Sequence, residues 1–60
     1  MNKYILITYY RDNIAKKYRL FRITKDGGEI LEKESFNELA VQKYIKEHKI
    51  KKIKTEKICL

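Results

Sequence analysis

Sixty residues carrying 15 Lys/Arg against 8 Asp/Glu, a formal net charge of +7, make a small and strongly basic chain. That length supports a single domain spanning 1–60 with a marginal core, because a fold this small buries only about 60% of the surface its unfolded chain exposes. A lone cysteine excludes an internal disulfide, one cysteine and one histidine argue against structural zinc, and no apolar run approaches the roughly 20 residues of a membrane helix.

Residues 3–11 (K-Y-I-L-I-T-Y-Y-R) are β-branched and aromatic, with apolar side chains at both alternating positions, the pattern of a central strand. Asp12-Asn13 opens a turn into a second strand predicted over 17–25. Asp26-Gly27-Gly28 carries the strongest hairpin signal, since Asp-Gly supplies the positive φ values of a type I′ turn. Residues 29–34 predict a short third strand with a charged outer edge. Ser35-Phe36-Asn37-Glu38 matches a capping box, with Ser35 as N-cap and Glu38 reaching back. The helix it opens is predicted to run from Phe36 to His48 or Lys49. Its apolar stripe is Phe36, Ala40, Val41, Tyr44, Ile45 and His48, with Leu39 to one side. Residues 52–60 return to a strand pattern, and the apolar end Ile58-Cys59-Leu60 is expected to dock into the sheet.

This order predicts an α+β domain, β-β-β-α-β, with a four-stranded mixed sheet in the order 3-2-1-4 and one helix packed on one face. Two hairpins and a helical reversal make the fourth strand parallel to the first, and pairing them keeps the most hydrophobic strand off an edge. Opposing Tyr10 to Tyr18 sorts the first hairpin into two sets. Ile5/Ile23, Ile7/Phe21 and Tyr9/Arg19 form one; Tyr4/Thr24, Leu6/Arg22, Thr8/Leu20 and Tyr10/Tyr18 form the other. The first set is expected beneath the helix, with Ile5, Ile7, Phe21, Ile23, Leu39, Ala40, Tyr44 and Ile45 as core. The second is then open, presenting Tyr4, Tyr10, Tyr18, Leu6, Leu20 and Arg22.

Charge is segregated along the chain: residues 1–28 carry net +5, residues 29–42 net −3 and residues 43–60 net +5. A field this dense attracts phosphate or an acidic protein surface. Aromatics on an open sheet flanked by cations suit the stacking of bases and the holding of phosphates. The expected nucleic-acid-binding residues are therefore Tyr10, Arg11, Lys16, Lys17, Tyr18 and Arg22, with the lysine run contributing Lys51, Lys52 and Lys54. Tyrosine is equally a good strand former, and a lysine run equally keeps an edge strand monomeric. Three antiparallel strands followed by a helix are similar in order to small DNA-binding domains such as the arm-binding domains of tyrosine recombinases, a likeness of fold.

Catalytic chemistry is not expected. His48, the sole histidine, suits packing or capping, and Cys59 suits a buried, inert thiol. The Asp-Gly-Gly turn lacks the following helix and Lys-Ser/Thr of a phosphate loop. Glu29, Glu32 and Glu34 balance basic neighbours rather than forming an acid/base pair. No cofactor or metal site is expected. The N-terminal Met1-Asn2-Lys3-Tyr4 enters a strand pattern without a leader, predicting an intact cytoplasmic protein, in the host cytosol if the source is viral. Abundant Lys, Ile and Tyr with two Ala match AT-rich codons, as in a phage or other mobile element, although heat-adapted proteins share the Lys/Glu/Ile bias. DNA or RNA is the expected partner of a monomer or homodimer, with no membrane. The alternative is a mobile-element effector that binds and inhibits a host protein.

Overall fold

The computed structural model describes residues 3–60; Met1 and Asn2, part of the stretch read as leaderless, lie outside them. The elements are β1 (Lys3–Arg11), β2 (Ile14–Ile23), β3 (Glu29–Ser35), α1 (Glu38–Glu47) and β4 (Ile53–Cys59). The sheet order is β3-β2-β1-β4, with β1 antiparallel to β2, β2 antiparallel to β3 and β1 parallel to β4. This is the α+β topology that the hydrophobic first strand requires: β1 has a neighbour on each side. The chain end pairs with β1 through its backbone, the Leu60 N–H donating to the Tyr10 carbonyl at 2.7 Å, while the Ile58, Cys59 and Leu60 side chains stay exposed.

Local chemistry sets the connections. Asp12 and Asn13 both take positive φ, 55° and 65°, which is the two-residue loop whose twist matches the flanking strands. The second hairpin departs from the expected type I′ turn. Gly27, φ +85°, is its left-handed residue, and the Gly27 N–H donates to the Thr24 carbonyl at 3.0 Å. Thr24 locks the loop twice more, its N–H donating to the Gly28 carbonyl and its hydroxyl oxygen accepting from the Gly28 N–H, both at 2.9 Å. A single left-handed position following a turn is the bulged hairpin loop, which places the Asp26 backbone outside the positive-φ region.

The helix begins later than the capping box predicts. Ser35 stays in β3 opposite Tyr18, so its hydroxyl accepts from the Asn37 N–H at 3.0 Å instead of capping the helix. Asn37 is the N-cap, its Oδ1 accepting from the Leu39 N–H at 3.0 Å. Phe36 therefore falls outside the helical stripe and is 77% exposed. At the other end Lys49 sits in the left-handed region, φ 52°. The Ile50 N–H donates to the Ile45 carbonyl at 3.0 Å and the Lys49 N–H to the Lys46 carbonyl at 3.2 Å, the two bonds of a Schellman motif.

Two expectations about the sheet are corrected. Tyr10 does not oppose Tyr18: Tyr18 lies opposite Thr8, Ile7 opposite Arg19 and Phe21 opposite Ile5, and a bulge between Tyr9 and Tyr10 moves Tyr10 opposite Ala15. The slip is two residues, so the two face sets survive. The helix, however, covers the other set. Leu6, Tyr18, Leu20 and Val41 are the buried core, with Tyr4, Ala15, Tyr44, Ile45, Ile50 and Ile53 packed around it. Ile5, Ile7, Phe21 and Ile23 are half-buried on the opposite, uncovered face, and Leu39 is 74% exposed.

The edge strands explain this choice. Pairing brings Glu29, Glu34, Lys54 and Glu56 to the face of Ile5 and Phe21, where a packed helix would strip their water at several kcal/mol per uncompensated charge. The face the helix takes carries Ile30, Ile53 and Thr55, with Lys33 and Lys57 as its edge-strand lysines.

Candidate nucleic-acid interface

The helix contacts β2 and β3, and beyond Tyr4, Leu6 and Ile53, which join the core, the β1–β4 part of its own side of the sheet lies open. Thr8, Tyr10, Thr55, Lys57 and Cys59 share that half-face, and the last three are exposed. Together they make a shelf beside the helix. At its centre Lys57 Nζ lies over the Tyr10 ring, 5.6 Å from the centroid. Tyr10, Asn13, Lys57, Ile58 and Cys59 line a shallow concavity of about 420 Å³ at the shelf's end. Cys59 is exposed here, contrary to the expected buried thiol.

The nine residues expected to bind nucleic acid do not form one surface. Tyr10 stands on the shelf, and Arg11 and Lys16 lie at the same β1–β2 tip, Arg11 one step on in the strand and Lys16 passed over by the bulge. Lys51 and Lys52 lie at the far end, in the connection preceding β4. The length of β4 separates the two groups, about 20 Å at 3.3 Å per residue. Tyr18 is only 9% exposed beneath the helix, and burial raises its hydroxyl pKa, so it offers no ring for stacking. Arg22 is committed elsewhere, its Nε donating to Glu32 Oε1 at 2.6 Å. Lys17 and Lys54 belong to the opposite face of the sheet, where Lys17 Nζ sits 3.2 Å from Glu34 Oε1 and Lys54 Nζ 3.7 Å from Glu56 Oε1.

Lys57 is a shelf residue that the expected set omitted. Its signal was available: with β4 parallel to β1, alternation places Lys57 with Thr55 on the face of Thr8 and Tyr10.

The Arg22–Glu32 pair is structural. The Tyr44 hydroxyl donates to the second oxygen, Glu32 Oε2, at 3.2 Å, so one carboxylate ties β2, β3 and α1 together. The Arg22 hydrogen bond, aided by that of Tyr44, holds the Glu32 carboxyl below the usual carboxylate range. His48 ends the helix as its C-cap and stacks on Tyr44, ring centroids 4.0 Å apart.

On the uncovered face the centre is apolar, with Ile5, Ile7, Phe21, Ile23 and Leu31 contiguous across three strands. Beside them Arg19 Nε donates to Glu34 Oε2 at 2.7 Å while its guanidinium lies over Tyr9, 5.2 Å from the ring centroid. The Glu34 pKa is lowered by Arg19 first and Lys17 second. Residues 3–9 of β1 and their partners bring Lys3, Lys17, Arg19 and Lys54 to this face against Glu29, Glu34 and Glu56, a net of +1. The other eleven cations and five carboxylates, net +6, lie on the helix side, the connections and the hairpin tip.

Among the described residues, no group of three or more His, Cys, Asp or Glu is placed to hold a metal ion. No helix among them is long and apolar enough to cross a membrane. Comparison with protein-family models, curated proteins and solved structures finds no match to this chain.

Proposed function

We propose that this chain binds DNA or RNA without catalysing a reaction on it, chiefly through phosphates, along the shelf that β1 and β4 form beside the helix. The observation carrying this reading is where the charge lies: the uncovered face nets only +1 over residues 3–9 of β1 and their partners, and the remaining +6 spreads over the helix side, the connections and the hairpin tip. The shelf residues Thr8, Tyr10, Thr55, Lys57 and Cys59 include no carboxylate. Arg11 and Lys16 at one end, Lys57 at the centre and Lys51 and Lys52 at the other give a line of cations that a phosphate backbone can follow. Tyr10 supplies a ring on which an unpaired base stacks. A cytoplasmic setting, which keeps Cys59 a free thiol, belongs to the same proposal.

The test is fluorescence anisotropy with generic single- and double-stranded oligonucleotides across a salt series. Affinity should fall steeply with salt, with a log–log slope of up to about −3.5 on single strands if all five cations displace counterions. Tyr10→Ala should weaken single-strand binding by about 1–3 kcal/mol. Lys57→Glu should weaken binding to every sequence, while Lys54→Glu, on the opposite face, should leave it unchanged. Equal losses from Lys57→Glu and Lys54→Glu would remove the shelf from the proposal. The second reading, an effector encoded by a phage or other mobile element that captures a host protein, draws on the uncovered apolar face. It replaces the first if the protein binds no nucleic acid at low salt yet holds one host protein tightly.

A further inference from the structure

The geometry points to the uncovered sheet face as a contact between two copies of this chain, independently of what the shelf binds. A sheet that is apolar on both faces needs a layer on each, and here α1 supplies only one. The chain exposes 4882 Å², whereas a compact monomer of its 7.3 kDa exposes about 4,200 Å², an open shape to which the uncovered face contributes.

Charge selects the occupant. With +7 on the whole chain, self-association through most surfaces meets repulsion. The uncovered face is the exception, because its four cations and three carboxylates nearly cancel and surround an apolar centre of Ile5, Ile7, Phe21 and Leu31. A two-fold axis through that centre sets each rim of mixed sign against another of mixed sign, the self-complementarity that an isologous contact requires. An acidic partner would gain little from a face on which three of the four cations are already paired: Lys17 and Arg19 with Glu34, Lys54 with Glu56. Edge-to-edge pairing is opposed at both ends of the sheet. β3 carries charges and a register break opposite Leu20/Phe21, and β4 carries Lys54, Glu56 and Lys57. Face-to-face stacking about 10 Å apart leaves both helices, and both shelves, on the outside.

Sedimentation equilibrium of the full chain tests this over a rising concentration series. The wild type should move from 7.3 kDa toward twice that mass. Phe21→Lys should remain at the single-chain mass throughout. Leu31→Lys should do the same, and since Leu31 is already 48% exposed within one chain, its folding, checked by circular dichroism, does not depend on that side chain. Leu39→Lys, on the exposed side of α1, should associate as the wild type does. In a mixed labelled and unlabelled sample, isotope-filtered NOEs should join the Phe21 ring to isoleucine methyls of the other copy. A wild type that is monomeric at every concentration overturns the proposal, as does association that survives both Phe21→Lys and Leu31→Lys. So does a monomer whose Phe21/Leu31 face captures a different protein.

Discussion

Lys49 occupies the helix-terminating position where glycine is usually found, and its side chain gains nothing visible there while its backbone is held at φ 52°. The left-handed region costs a residue with a Cβ roughly 1–2 kcal/mol, offset in part by the greater unfolded-state entropy of glycine. Lys49→Gly should therefore stabilise the fold by about 0.5–1 kcal/mol, read as a higher urea midpoint at unchanged slope. Lys49→Gln keeps the Cβ and removes the charge, so it should recover little of that gain, and Lys49→Val should lower the midpoint. If Gln and Gly stabilise equally, charge repulsion rather than backbone strain governs the position. The residue scale also shows what the sequence could convey. Asp12 and Asn13 announce a two-residue turn because both tolerate positive φ, and the structure uses both. Asp26-Gly27 carries a similar signal, but Thr24 offers the Gly28 N–H a side-chain acceptor and a different loop closes.

At the scale of elements, strand existence and order were readable because β1 is apolar on both of its alternating faces, the pattern of a central strand. Which face the helix takes was not readable from the first hairpin alone. Ile5, Ile7, Phe21 and Ile23 are as apolar as Tyr4, Leu6, Tyr18 and Leu20, and Arg22 marks solvent only until Glu32 is seen to receive it. The deciding charges sit on β3 and β4, and the β3 register is hidden by an irregularity opposite Leu20/Phe21. Glu32, close to that break, joins three elements, which makes the sheet–helix junction sensitive to acid. Its folded-state pKa is depressed by Arg22, so it adds stability above its unfolded-state value, and that stability is lost as pH falls through the lower folded value. Thermal melts from about pH 7 to pH 3 should show a falling transition temperature, starting near the ordinary glutamate range. Glu32→Gln should melt lower at neutral pH and lose less on acidification. Some acid sensitivity should persist, because Glu34 is depressed in the same direction by Arg19 and Lys17. An unchanged acid slope in Glu32→Gln would leave Glu34 as the carboxylate that matters.

At the scale of the whole molecule, four buried side chains among the described residues are a small core, and the two sides of the sheet should respond differently to truncation. Leu20 is 0% exposed between sheet and helix, so Leu20→Ala should cost about 2–5 kcal/mol, a large fraction of a small domain's stability, at any protein concentration. Phe21 is half-buried on the uncovered face. Within one chain its ring lies on the face that the helix does not cover, so Phe21→Ala should cost less than Leu20→Ala in dilute solution. Association adds a term that depends on concentration, because a second copy binds the folded chain and not the unfolded one. The wild-type melting temperature should rise with protein concentration, and the Phe21→Ala deficit should widen with it. The Leu20→Ala variant retains the apolar face and should keep the wild-type concentration dependence from a lower starting point. A Phe21→Ala deficit that stays constant across concentrations, and equals that of Leu20→Ala, would place the ring in the single-chain core and remove the need for a second layer.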